Sequence, residues 1–229
     1  MRILHKELQL FSSKNEKQHT IDFLVSLLSA IAEYHDVESN DPVAIYHVVR
    51  IQKYTELLLF KLRELYPECG VISDTDIAKI VQASALHDIG KIAIPDEILT
   101  KPTKLSREEF ATMKKHTLYG ADILSKFVVY EDDFYRYCYD ICRYHHERWD
   151  GNGYPDGLVG ANIPIWAQLV GVADVYDALV NVKVYRGAFE RKKAEEMIIS
   201  GACGSFNPKV IDCFKACLDD FAQINIDYT

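Results

Sequence analysis

The sequence predicts an all-α fold built as a helical bundle. Three observations carry the helical prediction. Apolar residues recur at helical spacing in segment after segment, Ser, Asp and Pro stand where helix N-termini need them, and no stretch alternates apolar and polar residues as a half-buried strand does. No internal repeat is visible.

Residues 1 to 19 are polar and aperiodic and read as an N-terminal arm or linker remnant, with residues 20 to 229 as one domain. Ile21, Leu24, Val25, Leu28, Ile31 and Ala32 form a first helical stripe ending near Tyr34. Asp41-Pro42 opens a second helix, with the carboxylate as N-cap and Pro at the first position, and Pro67 and Gly70 stop it after Tyr66. On that helix His47 shares a face with Ile51, Tyr54, Leu58 and Leu62 and so points inward. A hydrogen-bonded core histidine is the ordinary reading of such a position.

Ser73-Asp74 caps a third helix that carries Ile77, Ile80, Val81 and Ala85 and ends at His87-Asp88. A loop with Pro95 and Pro102 leads to Ser106 and Glu109, the capping box of the next helix. His116 stands four residues before Gly120, ahead of Ile123-Leu124. Helical signals resume near Glu131 and end at His145-His146-Glu147. Four glycines between Gly151 and Gly160, set among Trp149, Tyr154 and Pro155, predict a structured loop. Ile163-Pro164 opens a further helix on which Asp174 and Asp177 share a face, and helices over Arg191 to Ser200 and Pro208 to about Ile224 complete the chain.

The chemistry is organised around His87-Asp88-Ile89-Gly90-Lys91. Burying an imidazole beside a carboxylate is costly unless a cation sits between them, and a divalent metal satisfies both. An isolated pair could simply hydrogen-bond to its surroundings. This one is accompanied by His47, His116, His145, His146 and Asp174, each at a helix end or on an apolar face. Imidazole and carboxylate suit iron, manganese or zinc, and the lack of cysteine in the set disfavours a structural zinc or an iron–sulfur cluster. Seven ligands exceed what one ion takes from a protein. Two divalent ions sharing a carboxylate is the natural count, and such pairs perform in-line displacement at phosphorus.

Composition excludes other classes. The 229 residues carry a formal charge of −8 with no long basic block, so binding to nucleic-acid polymers is not expected, although local cations and metals can hold a small anionic substrate. No apolar run is long enough to span a bilayer and no signal-peptide core begins the chain, so no membrane partner and a cytoplasmic location are expected. Six cysteines form no C-x-x-C pair and are expected to stay reduced.

Five segments, in order, resemble the motifs of the HD-GYP family: His87-Asp88-x-Gly90-Lys91, Lys101-Pro102-x-Lys104-Leu105, His116-x3-Gly120, His145-His146-Glu147-x2-Asp150-Gly151-x-Gly153-Tyr154-Pro155, and Ala173-Asp174-Val175-Tyr176-Asp177-Ala178-Leu179. The resemblance covers about residues 40 to 215. It implies an HD fold and a metal-dependent phosphodiesterase that hydrolyses cyclic di-GMP to pGpG and in some members GMP. His47, His87, Asp88 and Asp174 would hold one ion, and Asp88 as bridge with His116, His145 and His146 the other, with a hydroxide between the ions attacking phosphorus. Lys91 would stabilise charge at the phosphoryl or leaving oxygens, Lys183 and Arg186 would grip the substrate phosphates, and Tyr154 would shape the guanine end of the pocket.

Departures from the family pattern are informative. Val43 stands where some members place a Glu that recruits a third metal, so two ions are expected. Gln168 and Lys183 replace customary arginines, Val184 a Pro, Thr103 a Gly and Asn207 an Asp. A Lys keeps the charge of Arg but loses its bidentate grip. Two alternatives therefore stay open: a catalytically weak cyclic-dinucleotide-binding or scaffolding module, docking for instance onto a diguanylate cyclase or an upstream sensor domain, and a phosphodiesterase for another ring such as cyclic GMP-AMP.

Overall fold

The structure, a computed structural model, describes residues 46–69, 73–126, 133–181 and 187–228. The N-terminal arm, the first expected helix, the Asp41-Pro42 start, Val43, Lys183 and Arg186 lie outside the described residues.

Helix α1 (His47–Leu65) is the central rod, because Ile51, Tyr54, Thr55, Leu58, Leu59 and Leu62 recur every three or four positions and are all buried. Against one side lies α2 (Asp74–Ser84), started by a reciprocal capping box in which Ser73 Oγ accepts from Asp76 N at 3.1 Å and Asp76 Oδ2 from Ser73 N at 3.1 Å. Against the other lies α7 (Ile165–Val180), buried along most of its length and therefore apolar nearly all round. Between them run the short α3 (Asp96–Leu99) and α4 (Arg107–Met113), then α5 (His116–Ser125) and α6 (Asp133–Tyr144), with α6 packed on α2, α5 and α7. Helix α8 (Arg191–Ile199) lies on α7, while α9 (Pro208–Ala216) and α10 (Leu218–Asp227) close over α1. Among the described residues there is no strand, only one antiparallel bridge between Asp150 and Val159, and the fold is all-α as the periodicity predicts.

Two helices end differently from the sequence expectation, for local reasons. The third expected helix stops at Ser84, and Ala85–Asp88 form turns that lead into a 3-10 segment over Ile89–Ala93. An α-helix would separate adjacent side chains by about 100°, whereas the turn lets His87 and Asp88 face the same centre. The expected single helix from Pro208 to Ile224 is two, broken at Cys217, whose φ of −117° and ψ of 12° are not helical.

That break turns Phe221 into the interior. Its ring stacks on Tyr54 at 4.3 Å and meets Tyr176 and Phe214 edge-on at 5.1 and 5.2 Å, which ties α10 to α1, α7 and α9. Phe221→Ala is expected to cost about 3–5 kcal/mol, read as a lowered urea midpoint with unchanged helical circular dichroism at zero denaturant.

Candidate metal centre

The turn after α2, the start of α5, the end of α6 and the first residue of α1 meet at one point, and the backbone packing that allows this depends on glycine. A Cβ on Gly90 would sit 1.9 Å from the carbonyl oxygen of His116 and 2.4 Å from Gly120 N, so the His87-Asp88 turn can press against α5 only because both residues lack side chains. A Cβ on Gly171 would likewise lie 2.4 Å from His145 O, bringing α7 against the end of α6.

Four imidazoles converge there with their outer nitrogens already occupied. His87 Nδ1 faces Ser84 O at 2.9 Å, His116 Nδ1 faces Met113 O at 2.8 Å, His145 Nδ1 faces Ile141 O at 2.9 Å, and His47 Nδ1 faces Asp177 Oδ2 at 2.8 Å. Each of these is the proton-donating nitrogen, which leaves the Nε2 lone pair directed inward, the orientation a metal-binding histidine takes. Asp88 lies between them. Its Oδ1 is 3.2 Å from His116 Nε2 and 3.7 Å from His145 Nε2, and its Oδ2 is 3.3 Å from His87 Nε2 and 2.8 Å from Lys91 Nζ.

The ligating atoms fall into two groups that share Asp88, one with His116, His145 and His146 and the other with His47 and His87. Asp88 Oδ1, His116 Nε2 and His145 Nε2 are buried and make no hydrogen bond, an expensive arrangement for three neighbouring acceptors unless a cation accepts their lone pairs. The residues fit a pair of divalent ions on this ground.

Electrostatics agree with the geometry. Burial works against the charged form of His87, but the Asp88 carboxylate beside it overrides this and pushes the imidazole up to about 9. His47 Nε2 and His87 Nε2 face each other at 3.3 Å. Burial pushes His145 down to about 3, helped by the positive charge of His87, and burial likewise holds His146 well below the usual imidazole range. Both stay neutral, the form in which imidazole binds a metal. Burial disfavours the ionised form of Asp88, yet Lys91 and then His87 hold its carboxyl well below the ordinary carboxylate range.

The other sequence candidates take distinct places. Asp174 belongs to neither group, though its negative charge acts on His87, His145, Tyr154 and Arg148. Tyr154 stacks on His146 with ring centres 4.7 Å apart and planes at 29°. Gln168 is buried and donates to Ile163 O at 2.6 Å, fastening the start of its own helix. Asn207 keeps a capping role, accepting from Lys209 N at 3.0 Å. Lys101 is held by both oxygens of Glu109 at 2.6 Å, and Arg148 is tucked over the Phe206 ring while donating to His145 O and Glu147 O.

Two residues matter more than the sequence suggests. Asp177, which shares a helix face with Asp174, orients His47 and binds Arg50, which is buried on α1 three residues after His47. An arginine on an otherwise apolar helix face was the available signal. The Glu147 carboxylate is buried and accepts from the backbone N–H groups of Asp156, Gly157 and Leu158 at 2.7, 3.1 and 3.1 Å. A Cβ on Gly153 would sit 2.3 Å from Arg148 N, so the loop lies directly on the His145–Arg148 turn, and Tyr154 N donates to His146 O at 3.2 Å. Glu147 thus fastens the loop that presses Tyr154 onto His146. Glu147→Gln removes the charge that strengthens those bonds and is expected to cost about 1.5–3 kcal/mol, seen as faster hydrogen exchange at the amides of 156–158.

Comparison with known proteins places this geometry among relatives. The HD domain family profile matches residues 3–210. A cyclic di-GMP phosphodiesterase of Vibrio cholerae is 36% identical over 217 residues, 94% of this chain and 43% of that protein. The 3'3'-cGAMP-specific phosphodiesterase 2 of the same organism is also 36% identical, over 82% of this chain and 34% of its own length. The chain spans under half the length of these curated relatives. The solved structure of Bd1817, an HDG"Y"P protein from Bdellovibrio bacteriovorus, superposes with a TM-score of 0.59 at 20% identity, covering 91% of this chain and 63% of that one, which is a likeness of fold.

Proposed function

Since this chain belongs to the HD domain family, with the motifs of its HD-GYP branch, we propose that it is a metal-dependent phosphodiesterase hydrolysing cyclic di-GMP to the linear dinucleotide pGpG, and to GMP where cleavage continues. The observation that carries the reading is the pair of ligand groups hinged on Asp88, with inward Nε2 lone pairs on imidazoles whose other nitrogens are satisfied. His47, His87, Asp88 and Asp174 would hold one divalent ion, and Asp88, His116, His145 and His146 the other, with iron or manganese favoured by the donor set. Such a pair, when bound, polarises the phosphoryl oxygens and makes water a stronger nucleophile at neutral pH.

The chain's own residues do the remaining work. Neutral His145 and His146 and ionised Asp88 are already in their ligating forms at pH 7, so binding the ions there requires proton loss chiefly at His87. Lys91 Nζ, beside Asp88 at the rim of the centre, stabilises charge on the phosphoryl oxygens and the leaving alkoxide. Tyr154, held by the Glu147-fastened loop, borders the pocket on the His146 side, and Lys183 and Arg186 are proposed to grip the substrate phosphates. Six free cysteines suit the reducing cytoplasm, where such a messenger is turned over.

The 3'3'-cGAMP-specific relative favours testing a second ring. Protein loaded anaerobically with Fe²⁺ or with Mn²⁺ is expected to linearise cyclic di-GMP, with chromatography resolving pGpG, and side-by-side rates on cyclic GMP-AMP rank the two substrates. Bound metal without turnover of either ring would sink the reading.

A further inference from the structure

We propose that Phe110 and Lys114, on and just after α4, form a purine-base subsite beside the metal centre, selective for guanine. The inference rests on the phosphodiesterase reading above and names the part of the substrate that this rim recognises. Phe110 is 49% exposed although it is a large apolar ring, and Lys114 stands one helical turn further on, on the same face. Lys114 Nζ lies 5.5 Å from the centre of the Phe110 ring and 5.6 Å from that of Tyr154, so one ammonium is shared by two aromatic faces. Tyr154 in turn stacks on His146, whose ring meets His116 edge-on at 5.1 Å. A continuous row of π and cationic groups thus leads from the ligand cluster out to the half-exposed Phe110 ring.

Lys91 is paired with Asp88 and Lys101 with Glu109, while among the described residues Lys114 makes no ion pair with a carboxylate. A half-exposed aromatic ring with an ammonium 5.5 Å from its centre suits a nucleobase: the base stacks on the exposed part of the ring and the flexible lysine stem turns its ammonium to the acceptors at the base edge. Guanine presents two adjacent acceptors, O6 and N7, to a lysine, whereas adenine presents N7 next to an amino donor that the ammonium repels. The row therefore recognises a guanine attached to the phosphodiester at the metals, and it disfavours adenine.

The test is equilibrium binding of cyclic di-GMP and cyclic di-AMP to the metal-free full chain by calorimetry, where no turnover interferes. Wild type is expected to prefer the guanine ring. Phe110→Ala should weaken both ligands by about tenfold through lost stacking, and Lys114→Met, which keeps the apolar stem, should shrink the preference between them. The metal content of both variants after loading, by elemental analysis, should equal that of wild type. Affinities within twofold of wild type in Phe110→Ala, an unaltered preference in Lys114→Met, or no binding by wild type would each overturn the subsite. The phosphodiesterase reading fails on a separate result: metal-loaded wild type that binds cyclic dinucleotide and does not cleave it.

Discussion

Asp88→Asn is expected to lower turnover by at least about a thousandfold and metal content from about two ions per chain to one or fewer, while the helical signal and melting temperature change little. Asp88 is the one residue common to both ligand groups, with one oxygen turned to His116 and His145 and the other to His87 and Lys91. An amide keeps the shape but offers a weaker ligand and no charge. The variant also has a signature that does not depend on activity. The Asp88 carboxylate is what lifts His87 to about 9 against the effect of burial, so in metal-free Asp88→Asn the His87 imidazole should titrate well below that value by NMR. For the wild type the sign follows directly: the proton held by His87 competes with metal, so apparent metal affinity should climb with pH through neutrality and level off above about 9. Elemental analysis showing two ions retained in Asp88→Asn would remove the shared-ligand arrangement from consideration.

Asp177→Ala is expected to be the most destabilising single change near the centre, at about 3–5 kcal/mol, because it leaves the guanidinium of Arg50 buried without its counter-charge. That is a large part of the total stability of a typical domain. Asp177 accepts from Arg50 Nε and Nη2, from His47 Nδ1 and from Asn181 Nδ2, and Arg50 also donates to Tyr228 O at 2.7 Å, so the C-terminal helix depends on the same network. Burial opposes the ionised form of Asp177, but His47 and Arg50 outweigh it and bring the carboxyl down to about 2. A folded-state value below the unfolded one means the stabilisation is complete above about pH 4 and is lost as pH falls through about 2; it amounts to about 2–3 kcal/mol. Denaturation curves between pH 5 and 2 should therefore show a steeper loss in wild type than in Asp177→Ala. Parallel curves would place the acid sensitivity elsewhere.

The class of fold and six of the seven residues proposed as ligands, all but Asp174, are legible in the sequence because both depend on local pattern. Apolar spacing on α1 and α7 and the capping boxes at Ser73 and Ser106 are set by neighbours within one or two turns. The ends of helices are less legible. Nothing near Ser84 announces that α2 stops before His87, since the turn is stabilised by Gly90 lying against Gly120 in a helix thirty residues away. Cys217 is equally unremarkable as a residue, and the break there follows from the aromatic cavity that Phe221 fills.

By itself the sequence determined that this chain is helical and that its His and Asp motifs follow an HD-GYP pattern. Only the tertiary structure decided that Asp88 stands between two groups of ligands, that Asp177 works through His47 and Arg50, and that Glu147 fastens a loop. The physical reason is distance along the chain. Periodicity and capping are interactions over a few residues, whereas the partner that orients His47 is 130 positions away, and such a pairing exists only once burial has brought the helices together.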